Sequence, residues 1–184
     1  VRRAAAAAAL LALAAGPACG GAAVTPGVAA AGVPLSATVR TVEGLLGAPS
    51  SELQDPTNPS IIIERWEALC LGARYTPAGR LLALDVWVDV AGQCPGAEPA
   101  YGVEGAGGKT VTFRSTRADV KQAFGYRPDR VLRADRFTVL VYDDEGVAFY
   151  VREVGERRGL VDTITVFRRH ASRTVWAPRS WGGQ

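Results

Sequence analysis

The chain has 184 residues, with 21 basic and 18 acidic side chains, one histidine, three cysteines and no methionine. Such a length supports one substantial core or two very small ones, and so nearly balanced a charge excludes a nucleic-acid binder that works through a basic field. A single histidine leaves almost no material for a histidine-based metal cluster.

The N-terminus reads as an address. Arg2 and Arg3 precede the apolar run Ala4–Ala15, and Gly16-Pro17-Ala18 follows, so residues 1–18 form a secretory signal peptide. The twelve apolar residues of that run fall short of the number needed to cross a hydrocarbon core, about 20. Cys19 comes next, in a setting that resembles the lipobox of bacterial lipoproteins, where this cysteine is diacylated. Gly16 and Ala18 also satisfy a small-x-small cleavage site for plain secretion, and lipidation is the favoured reading. Residues 19–35 are rich in Gly, Ala and Pro and lack periodicity, as a flexible tether would. Without residues 1–18 the chain keeps 19 basic against 18 acidic side chains.

Two similar units follow, residues 36–94 and 111–170, separated by a Gly-rich linker over 95–110. The second is clearer. Thr116 and Asp119 make a capping box, Val120, Ala123 and Phe124 recur at helical spacing, and Gly125 supplies a left-handed stop. Pro128 prevents the helix from resuming. Strand-like runs occupy Phe137–Tyr142, Val147–Arg152 and Leu160–Phe167, with the turn Asp143-Asp144-Glu145-Gly146 between the first two. In the first unit Thr38, Val42, Leu46, Gly47 and Pro49 repeat the helix pattern, and Trp66 takes the place of Tyr142. Leu71, Ala73 and Tyr75 match Val147, Phe149 and Val151. Gly79, Leu84 and Val86 match Gly159, Ile164 and Val166. Leu82, Leu84, Val86, Val88 and Val90 alternate inward, with Asp85 and Asp89 outward. The expected fold is α+β, two tandem units of a short helical segment followed by a three-stranded antiparallel meander. Gly125 is expected to be the most sensitive backbone position.

With Cys19 acylated, Cys70 and Cys94 remain as an even pair in an oxidising compartment. A bridge between them would close a loop of about 24 residues, worth about 3 kcal/mol by the chain-entropy model. Two buried thiols or a metal pair are the other readings.

Catalytic groupings are scarce. His170 stands alone at a strand end, and Asp143-Asp144-Glu145 lacks the spacing of a calcium loop. Gly105 to Thr110 mimics the end of a phosphate loop without its full spacing. Neither an enzyme, nor a cofactor, nor a metal, nor a nucleic-acid partner is expected. The basic tail, residues 171–184, follows the last strand. Arg168, Arg169, Arg173 and Arg179, with Trp176 and Trp181, suit an anionic surface, or else a solvated tail with one tryptophan folded back on the sheet.

The helix-glycine-proline pattern, carried by Thr116, Val120, Phe124, Gly125 and Pro128 and again by Thr38, Val42, Leu46, Gly47 and Pro49, resembles the SmpA/OmlA (BamE-like) family of small outer-membrane lipoproteins. Tandem copies of such a unit also occur in the β-lactamase-inhibitory proteins. The resemblance implies an exported, lipid-anchored protein at the periplasmic face of the outer membrane or the cell surface. It would serve as a non-catalytic scaffold or binding module for an envelope protein, or alternatively as a secreted inhibitor of a hydrolase.

Overall fold

A computed structural model describes residues 24–55, 58–88 and 101–176. It begins with a minimal ladder, β1 (Ala29–Ala30) against β2 (Val33–Pro34). Helix α1 (Val39–Leu46) follows, then β3 (Ser51–Asp55), β4 (Asn58–Trp66), β5 (Leu71–Tyr75) and β6 (Leu81–Trp87). A second small ladder pairs β7 (Val103–Glu104) with β8 (Thr110–Val111). Helix α2 (Arg117–Phe124) then leads into β9 (Arg130–Ala134), β10 (Phe137–Tyr142), β11 (Val147–Arg152) and β12 (Val161–Phe167), and a single turn, α3 (Ser172–Val175), ends the described chain.

The α+β reading with two three-stranded meanders is therefore wrong. The described residues are mostly β, with three short α-helices, and eight antiparallel strands form one sheet in the order β3-β4-β5-β6-β12-β11-β10-β9. Helices α1 and α2 each precede four strands of that sheet. The unforeseen members are β3 and β9, which lie at the two edges. Edge strands need little apolar side chain and tolerate charge. In β3 only Leu53 is apolar among Ser51, Glu52, Gln54 and Asp55, so the alternation that marks a strand is missing.

The halves nevertheless repeat one another in detail. The hydroxyl of Thr38 accepts the Thr41 N–H, and that of Thr116 accepts the Asp119 N–H, with the Asp119 carboxylate returning to the Thr116 N–H at 2.7 Å. The Thr116 N–H and the Thr116 hydroxyl both donate to the Asp119 carboxylate, and these two bonds hold that carboxyl below the usual carboxylate range. Gly47 (φ 82°, ψ −173°) and Gly125 (φ 105°, ψ 150°) end the helices in a region open only to glycine, not in the left-handed helical one. The Gly47 carbonyl accepts the Trp66 indole N–H and the Gly125 carbonyl accepts the Tyr142 hydroxyl, both at 3.0 Å. Register shifts fall at Arg74/Tyr75 and at Tyr150/Val151, matching places in β5 and β11.

The main core lies between the helices and one face of the sheet. Val42, Trp66, Leu71, Leu84 and Val86 fill it from the first half, and Val120, Tyr142, Phe149, Ile164 and Val166 from the second. Phe124 packs at 5.0 Å from Phe149 and 5.5 Å from Tyr142, ring to ring. Val24, Ala30, Val33 and Leu35 are buried in the same core, so residues 24–35 are no tether. Nor is the described part of the 95–110 linker, residues 101–110, bare, because Tyr101 and Val103 are buried there too. Leu82 departs from the expected inward row. The register shift turns it to the opposite face with Ile61 and Ile63.

A Cβ at Gly125 or Gly47 would meet nothing within 4 Å, so alanine there carries only the conformational penalty. Gly146 is more constrained: at φ 72° its Cβ would lie 2.4 Å from the Phe167 carbonyl oxygen and 2.6 Å from Gly27 Cα. Urea denaturation should show Gly125→Ala losing about 1–3 kcal/mol, and Gly146→Ala losing more. The reverse order would contradict this account.

Candidate functional site

The face of the sheet turned away from the helices is only partly covered. Over the second half, α3 and Trp176 close it, with Trp176 edge-on to Phe167 at 5.2 Å and donating its indole N–H to the Tyr150 hydroxyl at 2.9 Å. Over the middle of the sheet lies an open groove of about 410 Å³. Its floor is polar although it is built from strands. Alternation along β5, β6, β11 and β12 sends Arg74, Asp85, Tyr150 and Thr165 to this face, while their neighbours enter the core.

These side chains neutralise one another. Arg74 donates through Nε to Asp85 at 2.7 Å and reaches Asp55 at 3.4 Å. The other oxygen of Asp85 accepts the Thr165 hydroxyl at 2.6 Å. Burial works against the Arg74 charge, but Asp85, Tyr150 and Asp55 outweigh it and hold the guanidinium protonated. Burial pushes the Tyr150 hydroxyl up, with the Arg74 charge opposing. A second pair flanks the first: Arg152 donates Nε and a terminal nitrogen to one oxygen of Asp162, at 2.8 and 2.7 Å.

Aromatic rings under cations form the rim. The Arg65 guanidinium sits 5.6 Å from the centre of the Trp87 ring and that of Arg152 sits 5.1 Å from Phe137. A Cβ on Gly72 would lie 3.0 Å from the Trp87 ring, so glycine there leaves room for the indole to lie flat. No group of three or more histidine, cysteine or acidic side chains is placed to hold a metal ion among the described residues.

The residues singled out from the sequence lie elsewhere. Thr116, Gly125 and Gly47 cap helices, and Pro128 is half-buried between α2 and β9. Cys70 is buried, at φ 48°, after a single 3₁₀ turn. Its proposed partner Cys94 lies outside the described residues, as do Cys19, residues 1–18, Arg179 and Trp181. Arg168 donates to the Leu35 carbonyl at 3.1 Å, and the Arg169 stem lies against Gly27, so both are engaged with the N-terminal segment. Arg173 is exposed on α3. His170 is exposed and reaches Asp144 at 3.2 Å. The acidic turn is held by Asp129, which accepts the Asp143 N–H at 2.6 Å, while Asp143 accepts the Ser172 N–H. Sequence reading missed Arg74, Trp87 and Arg152. The one signal for this face was Asp85, a carboxylate inside the apolar run LLALDVWV.

No protein-family model matches the chain, and no curated protein matches it. The structure of a DUF4309 family protein (YjgB) from Bacillus subtilis subsp. subtilis str. 168 is similar over 72% of this chain and 78% of that chain, at 12% identity and a TM-score of 0.45. A likeness at that level carries no functional information.

Removing Asp85 would leave Arg74 and Thr165 short of their shared acceptor in a buried setting. Asp85→Ala should cost about 3–5 kcal/mol in chemical denaturation, and a loss under 1 kcal/mol would mean the cluster contributes little.

Proposed function

We propose that the protein is an exported, lipid-anchored envelope module that binds another protein through the groove above Arg74 and Asp85, without catalysis. The observation that supports this reading most is the rim itself. Trp87 and Phe137, each under an arginine, combine large apolar area with a cation, and tryptophan and arginine dominate the binding energy of measured interfaces. The charged pairs beneath them are already satisfied within the chain, so a partner covering the groove leaves no buried charge without a counterion. Attachment through Cys19 would keep this face close to the membrane surface, where envelope partners reside. A bridge between Cys70 and Cys94 belongs to the same picture of an oxidising compartment.

The groove is tested by capture from a detergent extract of the envelope, comparing wild type with Trp87→Ala and Arg65→Ala. Each variant should remain folded at the capture temperature and bind its partner at least tenfold more weakly, and equal capture would refute the groove. Mass spectrometry of the mature N-terminus should find acyl chains on Cys19, with Cys19→Ala released into the soluble fraction. Reduction should lower stability by about 3 kcal/mol if the cysteine bridge is present. An unchanged unfolding curve would argue against it.

A further inference from the structure

A second cavity, of about 530 Å³, opens on the other face of the sheet, between the start of α1, strands β3 to β5 and the β5–β6 turn. Val39, Ile62 and Pro77 give it apolar walls, and Glu52, Glu64, Tyr75 and Arg40 are its ionisable lining. Glu64 is only 4% exposed and Tyr75 fully buried. Oxygen Oε2 of Glu64 and the Tyr75 hydroxyl are both shielded from solvent, and neither has a partner in good hydrogen-bond geometry beyond the loose approach of one to the other. The two groups are near enough to influence each other's ionisation. A buried carboxyl oxygen without a donor is costly, and native proteins retain such groups where a ligand or reaction uses them.

The second half shows that the fold itself does not require this pair. Glu52 faces Glu64 across β3 and β4, whereas the matching pair across β9 and β10 is Val131 and Leu140. Tyr75 pairs with Ile62, and its counterpart Val151 pairs with Thr138. The mouths differ in the opposite sense. Val39 follows the Thr38 cap, but Arg117 follows the Thr116 cap, and Glu153 stands where the first half has Pro77. Arg117 forms an ion pair with Glu153, which also accepts the Thr138 hydroxyl at 2.6 Å. In the second half, then, a cation from the chain itself stands at the mouth, paired with Glu153. The first half keeps one buried carboxylate, Glu64, with the exposed Glu52 opposite it, and has Val39 at the Arg117 position, with Arg40 beside it on the rim.

We infer that the Glu64 cavity binds a guanidinium or ammonium group carried on a short alkyl stem, the charge paired with Glu64 and Glu52 and the stem against Val39, Ile62 and Pro77. The charge balance around it fits. Arg40 and Glu43 come from α1, Glu52 from β3 and Glu64 from β4, while the Thr76–Gly79 turn brings no titratable side chain. Three carboxylates therefore oppose one guanidinium. Burial, then Glu43 and Glu52, raise the Glu64 pKa, with Tyr75 partly opposing. A bound cation favours the carboxylate, so binding should release a proton and tighten as pH rises through the Glu64 pKa. This site is separate from the groove of the proposed function, and either can fail without the other.

The experiment is calorimetric titration of the full exported chain at low salt with agmatine, and with a short neutral peptide carrying one arginine. Saturable binding of either probe that strengthens as the pH is raised from 4 supports the site. Tighter binding of agmatine points to a free amine, and tighter binding of the peptide to a side chain of another protein. Glu64→Gln should weaken binding at least tenfold. Glu64→Leu combined with Tyr75→Val installs the second half's residues, so it should stay folded and bind neither probe. Val39→Arg should supply the missing cation internally and also weaken binding at least tenfold. No saturable binding of either probe, or Glu64→Gln binding within twofold of wild type, would overturn the assignment.

Discussion

The architecture depends on one strand pairing, β6 with β12, which joins two four-stranded halves into a single sheet. The register centres on Asp85 opposite Thr165, with Leu84 opposite Val166 and Val86 opposite Ile164, and these are the residues that correspond between the halves. A local two-fold therefore passes between Asp85 and Thr165. One face of that join is sealed by valine, leucine and isoleucine in the main core. The other is held by the hydrogen bond from Thr165 to Asp85 and the ion pair from Arg74 to Asp85. A buried carboxylate with two donors is tolerable, whereas the same carboxylate with none would oppose the join. The groove is a consequence of how the join is neutralised, because the side chains that stabilise it also make its floor.

Duplication supplies a frame, and divergence supplies the chemistry. Caps, helix-ending glycines, carbonyl acceptors for Trp66 and Tyr142, and register shifts are shared. Departures cluster where side chains face space. α3 covers the second half of the open face and reaches only β6 of the first, and a buried carboxylate, Glu64, lines a cavity in the first. Such differences between copies of one unit are informative, because each half is a control for what the other needs to fold.

The edges and the small ladders belong to the same economy of surface. β3 and β9 are five residues each and carry charge, which discourages pairing with another sheet. The ladders β1–β2 and β7–β8 contribute two residues per strand, yet they bring Val33, Val103 and Val111 into the core beside the helices. Helices of eight residues bury few side chains, and these segments fill the area the helices leave open.

By itself the sequence determined the local and periodic features. The Thr38 and Thr116 caps, the glycine stops, three strands of each half and the correspondence between the halves were legible, because each depends on residues within a few positions of one another or on alternation along one strand. Tertiary structure alone decided that the halves share one sheet, that polar edge strands complete it, and that Val24, Ala30, Val33 and Leu35 are core. It also brought Arg74 to Asp55 and Asp85, and placed Glu64 beside Tyr75 in a cavity. Those outcomes depend on which strands meet across long separations and on where space is left unfilled. Neither property is written in the order of residues along any single strand.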